Sequence, residues 1–142
     1  MGRAMRGQWL AAAAAAVMLA TAGVAQAIPA PKAVTEGDAT YVSGGVGKLE
    51  ADMMRGMESR YPIAMTFAKH NQGANEFVAG VELRVTDRSG KSVIDLSDGG
   101  PMVLLKVPDG KYTVRAEYEG HVKTQSVDVT HGHHANLDFL WS

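Results

Sequence analysis

The chain contains no cysteine. No disulfide can form, no lipid can be attached at a thiol, and any metal site must do without thiolate ligands. An excess of one charge is also missing. Lys and Arg number 14 against 15 Asp and Glu, which gives no electrostatic reason to bind nucleic acid or an anionic membrane surface. No internal repeat or low-complexity tract follows residue 27, and no Gly-x-Ser-x-Gly elbow occurs to present a serine nucleophile.

The one long apolar run stands at the start. Arg3 and Arg6 make a charged opening, Trp9 to Ala20 is apolar and rich in alanine, and Ala25-Gln26-Ala27 has the small-residue pattern of a cleavage site. Residues 1–27 therefore read as a cleaved export signal; the run is short for a membrane anchor. Cutting after Ala27 leaves 115 of the 142 residues, a length that suits one domain. Arg3 and Arg6 leave with the signal and no acid does, so the net charge moves from −1 to −3. An alanine-rich signal on a cysteine-free cargo suits a bacterial periplasm. Such a domain must rely on its core alone.

Residues 28–40, with Pro29, Pro31 and Gly37, show no periodic pattern and read as a flexible leader. A helix is expected over about Lys48 to Ser59, with Leu49, Met53 and Met57 at i, i+4 and i+8 facing the core and Met54 turned outward. Gly56 weakens its interior and Pro62 ends it.

From Ile63 onward the period is two. The clearest case follows the Pro108-Asp109-Gly110 turn, where Tyr112, Val114, Ala116 and Tyr118 alternate with Lys111, Thr113, Arg115, Glu117 and Glu119. Similar alternation covers Ile63–Phe67 and Val81–Val85, and Asp87-Arg88-Ser89-Gly90 has the make-up of a hairpin turn with a bulge-type glycine. Ser92–Leu96 is a short strand. Met102–Val107 is apolar throughout, as for burial on both sides. Glu119-Gly120 makes a tight turn into His121–Thr130, where Val122 has the wrong parity for Val127 and Val129 and predicts a bulge or face switch. Ala135, Leu137, Phe139 and Trp141 close the domain. Seven closely spaced strands with turns between them predict a mainly β, antiparallel sandwich with one N-terminal helix.

Two stretches resemble the carboxypeptidase regulatory-like domains. Gly80-Val81-Glu82-Leu83-Arg84-Val85-Thr86-Asp87-Arg88-Ser89-Gly90-Lys91 is similar to their Gly-x-x-Val-x-Val-x-Asp-x-x-Gly-Lys hairpin. Asp98-Gly99-Gly100 with Val107-Pro108-Asp109-Gly110-Lys111-Tyr112-Thr113-Val114 is similar to their Asp-Gly … Leu-Pro-Pro-Gly-x-Tyr-x-Val segment. The resemblance spans about Ile63 to Trp141. The Tyr41–Tyr61 segment resembles the lead-in of small exported proteobacterial proteins that carry this domain. The likeness implies a seven-stranded, Ig-like or transthyretin-like sandwich. It also implies a non-catalytic module working with a protein or envelope partner. These motifs are turn and core residues, so they specify scaffold more than function. A hydrolase of the same fold, 5-hydroxyisourate hydrolase, ends in Tyr-Arg-Gly-Ser; this chain ends Phe139-Leu140-Trp141-Ser142 and matches only the last position.

The remaining chemistry is sparse. His131, His133 and His134 form the one cluster of ligand-type side chains, suited by its imidazoles to copper or zinc; His121, Asp128 and Asp138 are the nearest additions. A polar turn that merely tolerates histidine accounts for the same residues. Met53, Met54, Met57 and Met65 offer thioethers for Cu(I), although core packing explains them better. Glu117 and Glu119 read as a wet strand face. Lys69 and Asn136, placed in the first and last strands of the sandwich like the bonded pairs of Gram-positive relatives, read as two solvated side chains. Tyr41, Tyr61 and Trp141 could form a sugar platform, but the parity of Trp141 with Leu137 and Phe139 makes it a core plug. Two binding routes are open: strand addition at an exposed edge, or an anion held by backbone N–H groups of Ser43-Gly44-Gly45-Val46-Gly47.

Overall fold

A computed structural model describes residues 30–142. The expected signal, residues 1–27, and the first two leader residues lie outside the described residues. Ten strands and one helix follow: β1 (Ala33–Glu36), β2 (Ala39–Gly44), α1 (Lys48–Met57), a 3₁₀ turn (Glu58–Arg60), β3 (Ile63–Asn71), β4 (Ala74–Phe77), β5 (Val81–Asp87), β6 (Ser92–Gly99), β7 (Met102–Lys106), β8 (Gly110–Tyr118), β9 (His121–Val129) and β10 (Ala135–Trp141). They form two sheets. The first runs β1-β2-β7-β3-β10, with β4 also paired to β3; the second runs β6-β5-β8-β9. The protein is mainly β and a sandwich, as the alternating strands predict.

The core lies where the inward parities of the two sheets meet. Met65, Phe67, Leu137, Phe139 and Trp141 from the first sheet face Leu83, Val85, Val114, Ala116, Val127 and Val129 from the second. Phe67, Phe139 and Trp141 stack with ring centroids 5.4–6.3 Å apart, within the range of favourable aromatic pairs. Trp141 is thus the core plug that its parity indicates. Tyr112 donates from its hydroxyl to the Pro108 carbonyl at 2.7 Å and so ties the start of β8 to the link before it. Gly110, at φ +157°, already stands in β8 opposite Val129, so the expected type I turn is not formed there, whereas the Asp87 hairpin is built as read. Asp87 Oδ1 accepts from the Ser89 N–H (2.9 Å), the Ser89 hydroxyl (2.6 Å) and the Lys91 N–H (3.0 Å), and Gly90 takes φ +88°.

Several expectations are corrected. The leader is not featureless: β1 pairs with β2 from Ala33↔Val42 to Glu36↔Ala39, and Ala39 is fully buried. Strand β4 is also additional; Gln72 and Gly73, both at positive φ, make the two-residue turn that folds it back on β3. The sandwich is not wholly antiparallel, because β10 runs parallel to β3 from Ala135↔Ile63 to Trp141↔Lys69. No bulge occurs at Val122: the β8–β9 register is unbroken, and Val122 simply points out of the sheet opposite Glu117. β8 ends at Tyr118, so Glu119 lies in the turn at φ +48° rather than beside Glu117 on a strand face.

The helix is present but rotated. Its buried residues are Ala51 and Met54, which pack with Val42, Ala64, Met102 and Leu104 on the outer face of the first sheet. Met54 is 0% exposed whereas Leu49 is 61% exposed, so the expected stripe is displaced. The cause lies at the N-terminus. Glu50 accepts the N–H groups of Gly45 (2.8 Å) and Val46 (3.2 Å), pinning Glu50 toward the loop and turning the following residues, Ala51 and Met54, onto the sheet. As read, β7 is buried on both sides: Val103 and Leu105 enter the inner core, Met102 and Leu104 the outer cluster.

Candidate functional site

Where β2 stops at Gly44, the chain leaves the first sheet and crosses the link between β6 and β7. Gly100 donates its N–H to the Ser43 hydroxyl at 2.8 Å, and a Cβ on Gly100 would stand 2.7 Å from the Gly44 carbonyl oxygen. Only glycine permits that approach. Residues Gly45–Gly47 then turn into α1, and the carboxylate of Glu50 takes up the loop's N–H groups. The anion route expected for this loop is therefore occupied by the chain's own anion.

On the same outer face, the β3–β4 hairpin passes the loop at a distance and leaves a cleft of about 580 Å³. Val46, Ala51, Phe77, Ala79 and Pro101 line it together with Lys48, Asp52 and Arg55. Phe77 is 50% and Val46 64% exposed, large apolar surfaces to leave in water. Phe77 stands opposite Ala68, which puts it on the helix side of the sheet. Asp52 accepts from Lys48 at 2.9 Å and from Arg55 at 3.0 Å; the Lys48 hydrogen bond, followed by its charge and that of Arg55, holds the Asp52 carboxyl below the usual carboxylate range.

The margin beside this cleft is open. β4 pairs only with β3, and all four of its residues are exposed. Its ladder begins at Asn71↔Ala74, and the Val78 N–H donates to the Phe67 carbonyl at 3.1 Å. In an antiparallel ladder hydrogen-bonded pairs alternate, so Asn75 and Phe77 turn their N–H and C=O groups away from β3. β1, also fully exposed, pairs only with β2, and the remaining margins are blunted. Register shifts interrupt β6, and β9 and β10 are joined by two side-chain bonds: Gln125 Nε2 to the Asp138 carbonyl (2.7 Å) and Trp141 Nε1 to the His121 carbonyl (3.0 Å).

The sequence-predicted ligands are dispersed or engaged. His131, His133 and His134 all line one cleft of about 470 Å³ between their turn, Tyr61 and Lys106. His134 Nδ1 lies 2.8 Å from the Tyr61 carbonyl and Nε2 3.1 Å from Asn136 Oδ1, so its ring staples the last turn to the start of β3. His121 sits at the far end of β9, roughly 26 Å along the strand from that turn. Asp128 is paired with Lys111 at 3.4 Å. Among the described residues no group of three His, Asp or Glu side chains is placed to hold a metal ion.

The methionines divide between clusters: Met54 is in the outer cluster, Met57 packs against it, and Met65 is in the inner core across the sheet. Lys69 and Asn136 are five positions apart in the β3–β10 register and do not meet. Tyr41 and Trp141 are core residues, so no aromatic platform forms with Tyr61. Sequence reasoning missed the β4 edge and Phe77. The Gln72-Gly73 turn was the available signal for them. Among the described residues no helix is long and apolar enough to cross a membrane.

Fold and cleft together define, among the described residues, a two-sheet β-sandwich with one short helix and exposed edges at β1 and β4. No protein-family model matches the chain, and no curated protein matches it.

Proposed function

We propose that this protein is a non-catalytic binding module of the carboxypeptidase regulatory-like type. In this reading residues 1–27 export it to the periplasm, where it works with a protein or envelope partner and without nucleic acid or membrane. The observation that carries the reading is the cleft between Gly45–Lys48 and Phe77, where apolar side chains stay half in water beside a strand with one free side. The polar groups nearest to chemistry have structural duties: Ser43 holds Gly100, Glu50 holds the Gly45–Val46 loop and His134 holds Tyr61. The test is selection of binders from a displayed peptide library on the chain from residue 28, with a panel of small esters and amides assayed in parallel. Enrichment of binders that compete with one another, without turnover, is expected. Turnover abolished by one side-chain change, or no enrichment over an unrelated sandwich domain, overturns the reading.

A second reading rests on the three rings that line one cleft, His131, His133 and His134, as a copper or zinc site. His134 would have to release Asn136 to use Nε2. Calorimetry with Cu(II) and Zn(II) on untagged protein tests it. Micromolar binding lost in the His131/His133/His134→Ala variant would favour this reading over the first.

A further inference from the structure

We infer that two copies of this chain join edge to edge through β1, antiparallel about a two-fold axis at Val34, with Lys32 of each copy paired to Glu36 of the other. The inference goes beyond the binding-module reading and uses a different margin of the molecule: no residue lining the Phe77 cleft belongs to β1.

The backbone decides which groups are free. Gly37, at φ +57°, and Asp38 make the two-residue turn that closes the β1–β2 hairpin on the Glu36↔Ala39 pair. Hydrogen-bonded pairs alternate from there, so Val34 and Glu36 bond to β2, while Ala33 and Thr35 turn their N–H and C=O groups outward. No described strand takes those groups, and Val34 is left 42% exposed. Setting Ala33 opposite Thr35 of a second copy uses every outward group of the strand.

Charge decides which partner fits. Lys32, just before the strand, shares the parity of Val34 and Glu36 and so their face. The same register brings Val34 against Val34, and Lys32 against Glu36 on both sides of the axis. These are non-hydrogen-bonded pairs, where facing side chains stand closest. Neither Lys32 nor Glu36 has an ion-pair partner among the described residues. Lys-Ala-Val-Thr-Glu is therefore its own complement when read antiparallel. A two-residue shift one way puts Pro31, which lacks an N–H, opposite Thr35; a shift the other way puts Val34 opposite Glu36. β4 has no such match. Its outward residues are Asn75 and Phe77, and two copies paired there would set Glu76 opposite Glu76.

Sedimentation equilibrium of the chain 28–142, which carries every described element, tests the pairing. A monomer–dimer equilibrium with Kd below about 1 mM is expected. The Ala33 and Thr35 amides should exchange more slowly as the dimer forms. Thr35→Pro removes an outward N–H that β2 does not use and should weaken the dimer roughly tenfold. Lys32→Glu and Glu36→Lys each set like charges opposite one another on both sides of the axis, and each should also weaken it roughly tenfold. Mixed one to one, these two variants meet with opposite charges at every such position, and the affinity should return to within about threefold of the unaltered chain. The mixing result decides the matter if the proline variant misfolds. A chain still monomeric at about 1 mM overturns the inference. So does a dimer indifferent to these substitutions, or a mixture that associates no better than its parts. Assemblies that keep growing past the dimer overturn it too, since they mean a head-to-tail contact of β1 with β4. The binding-module reading stands or falls separately, by its own library test.

Discussion

At one margin of the sandwich, Gln125 and Trp141 reach across to carbonyls of the facing strand, and β9 and β10 are held against each other although they share no ladder. At a second margin, β4 branches from β3 with four exposed residues, and no described strand pairs with its outer side. The two margins carry different residues for a physical reason. A closed edge needs long side chains with donors that can satisfy backbone acceptors, and Gln125 and Trp141 have them. The open edge carries Asn75, Glu76 and the half-exposed Phe77 next to a cleft, which fits a surface kept available. Phe67 stands where the sheet changes character, giving its N–H to Pro101 at 2.8 Å and its carbonyl to Val78 at 3.1 Å.

Breaking the shared core should have the largest effect. Phe67→Ala removes a fully buried ring in contact with Phe139 and Trp141, and a loss of about 3–5 kcal/mol in chemical denaturation is expected. The outer cluster comes next. Met54→Ala should cost about 2–4 kcal/mol, while Leu49→Ala on the same helix should change stability by less than about 0.5 kcal/mol. Equal costs for the two would return the helix to the orientation that its sequence pattern suggested. Opening the closed margin is smaller. Trp141→Phe removes the side-chain donor to the His121 carbonyl, for about 0.5–1.5 kcal/mol, and should raise exchange along β9 while leaving β4 unchanged.

The smallest effect belongs to pH. Hydrogen bonds from Ser89 first, then from the Lys91 backbone, hold the Asp87 carboxyl below its ordinary range. Folding therefore favours the ionised form. Its contribution is complete above about pH 4 and is lost as pH falls through the lowered folded value. Asp87→Asn should remove that part of the acid dependence, which a pair of denaturation series between neutral pH and pH 3 would measure.

The legible parts of the chain are those where one face of a strand meets the core. Tyr112–Tyr118 and Val81–Val85 alternate because the second sheet buries one side of each, and β7 reads as apolar throughout because α1 covers the face that the other sheet does not. Strands β1 and β4 are fully exposed, so burial left no pattern in them to find. The parallel pairing of β10 with β3 joins residues about seventy positions apart, and periodicity within a strand carries no information about its neighbour. The helix face was misread because Leu49, Met53 and Met57 form the larger apolar stripe, whereas a bond from the loop to Glu50 decides which stripe meets the sheet. The cleft shares this limit. Val46 and Phe77 are thirty-one positions apart, and only the crossing at Gly44 and Gly100 brings their segments to one face.

Residue-resolved amide hydrogen exchange on the unliganded, monomeric chain 28–142 tests the central contrast most directly. Phe67 and Val114 should exchange only through global unfolding, and Asn75 and Phe77 orders of magnitude faster through an edge already open. Asn75 and Phe77 amides as slow as that of Phe67 would contradict the account.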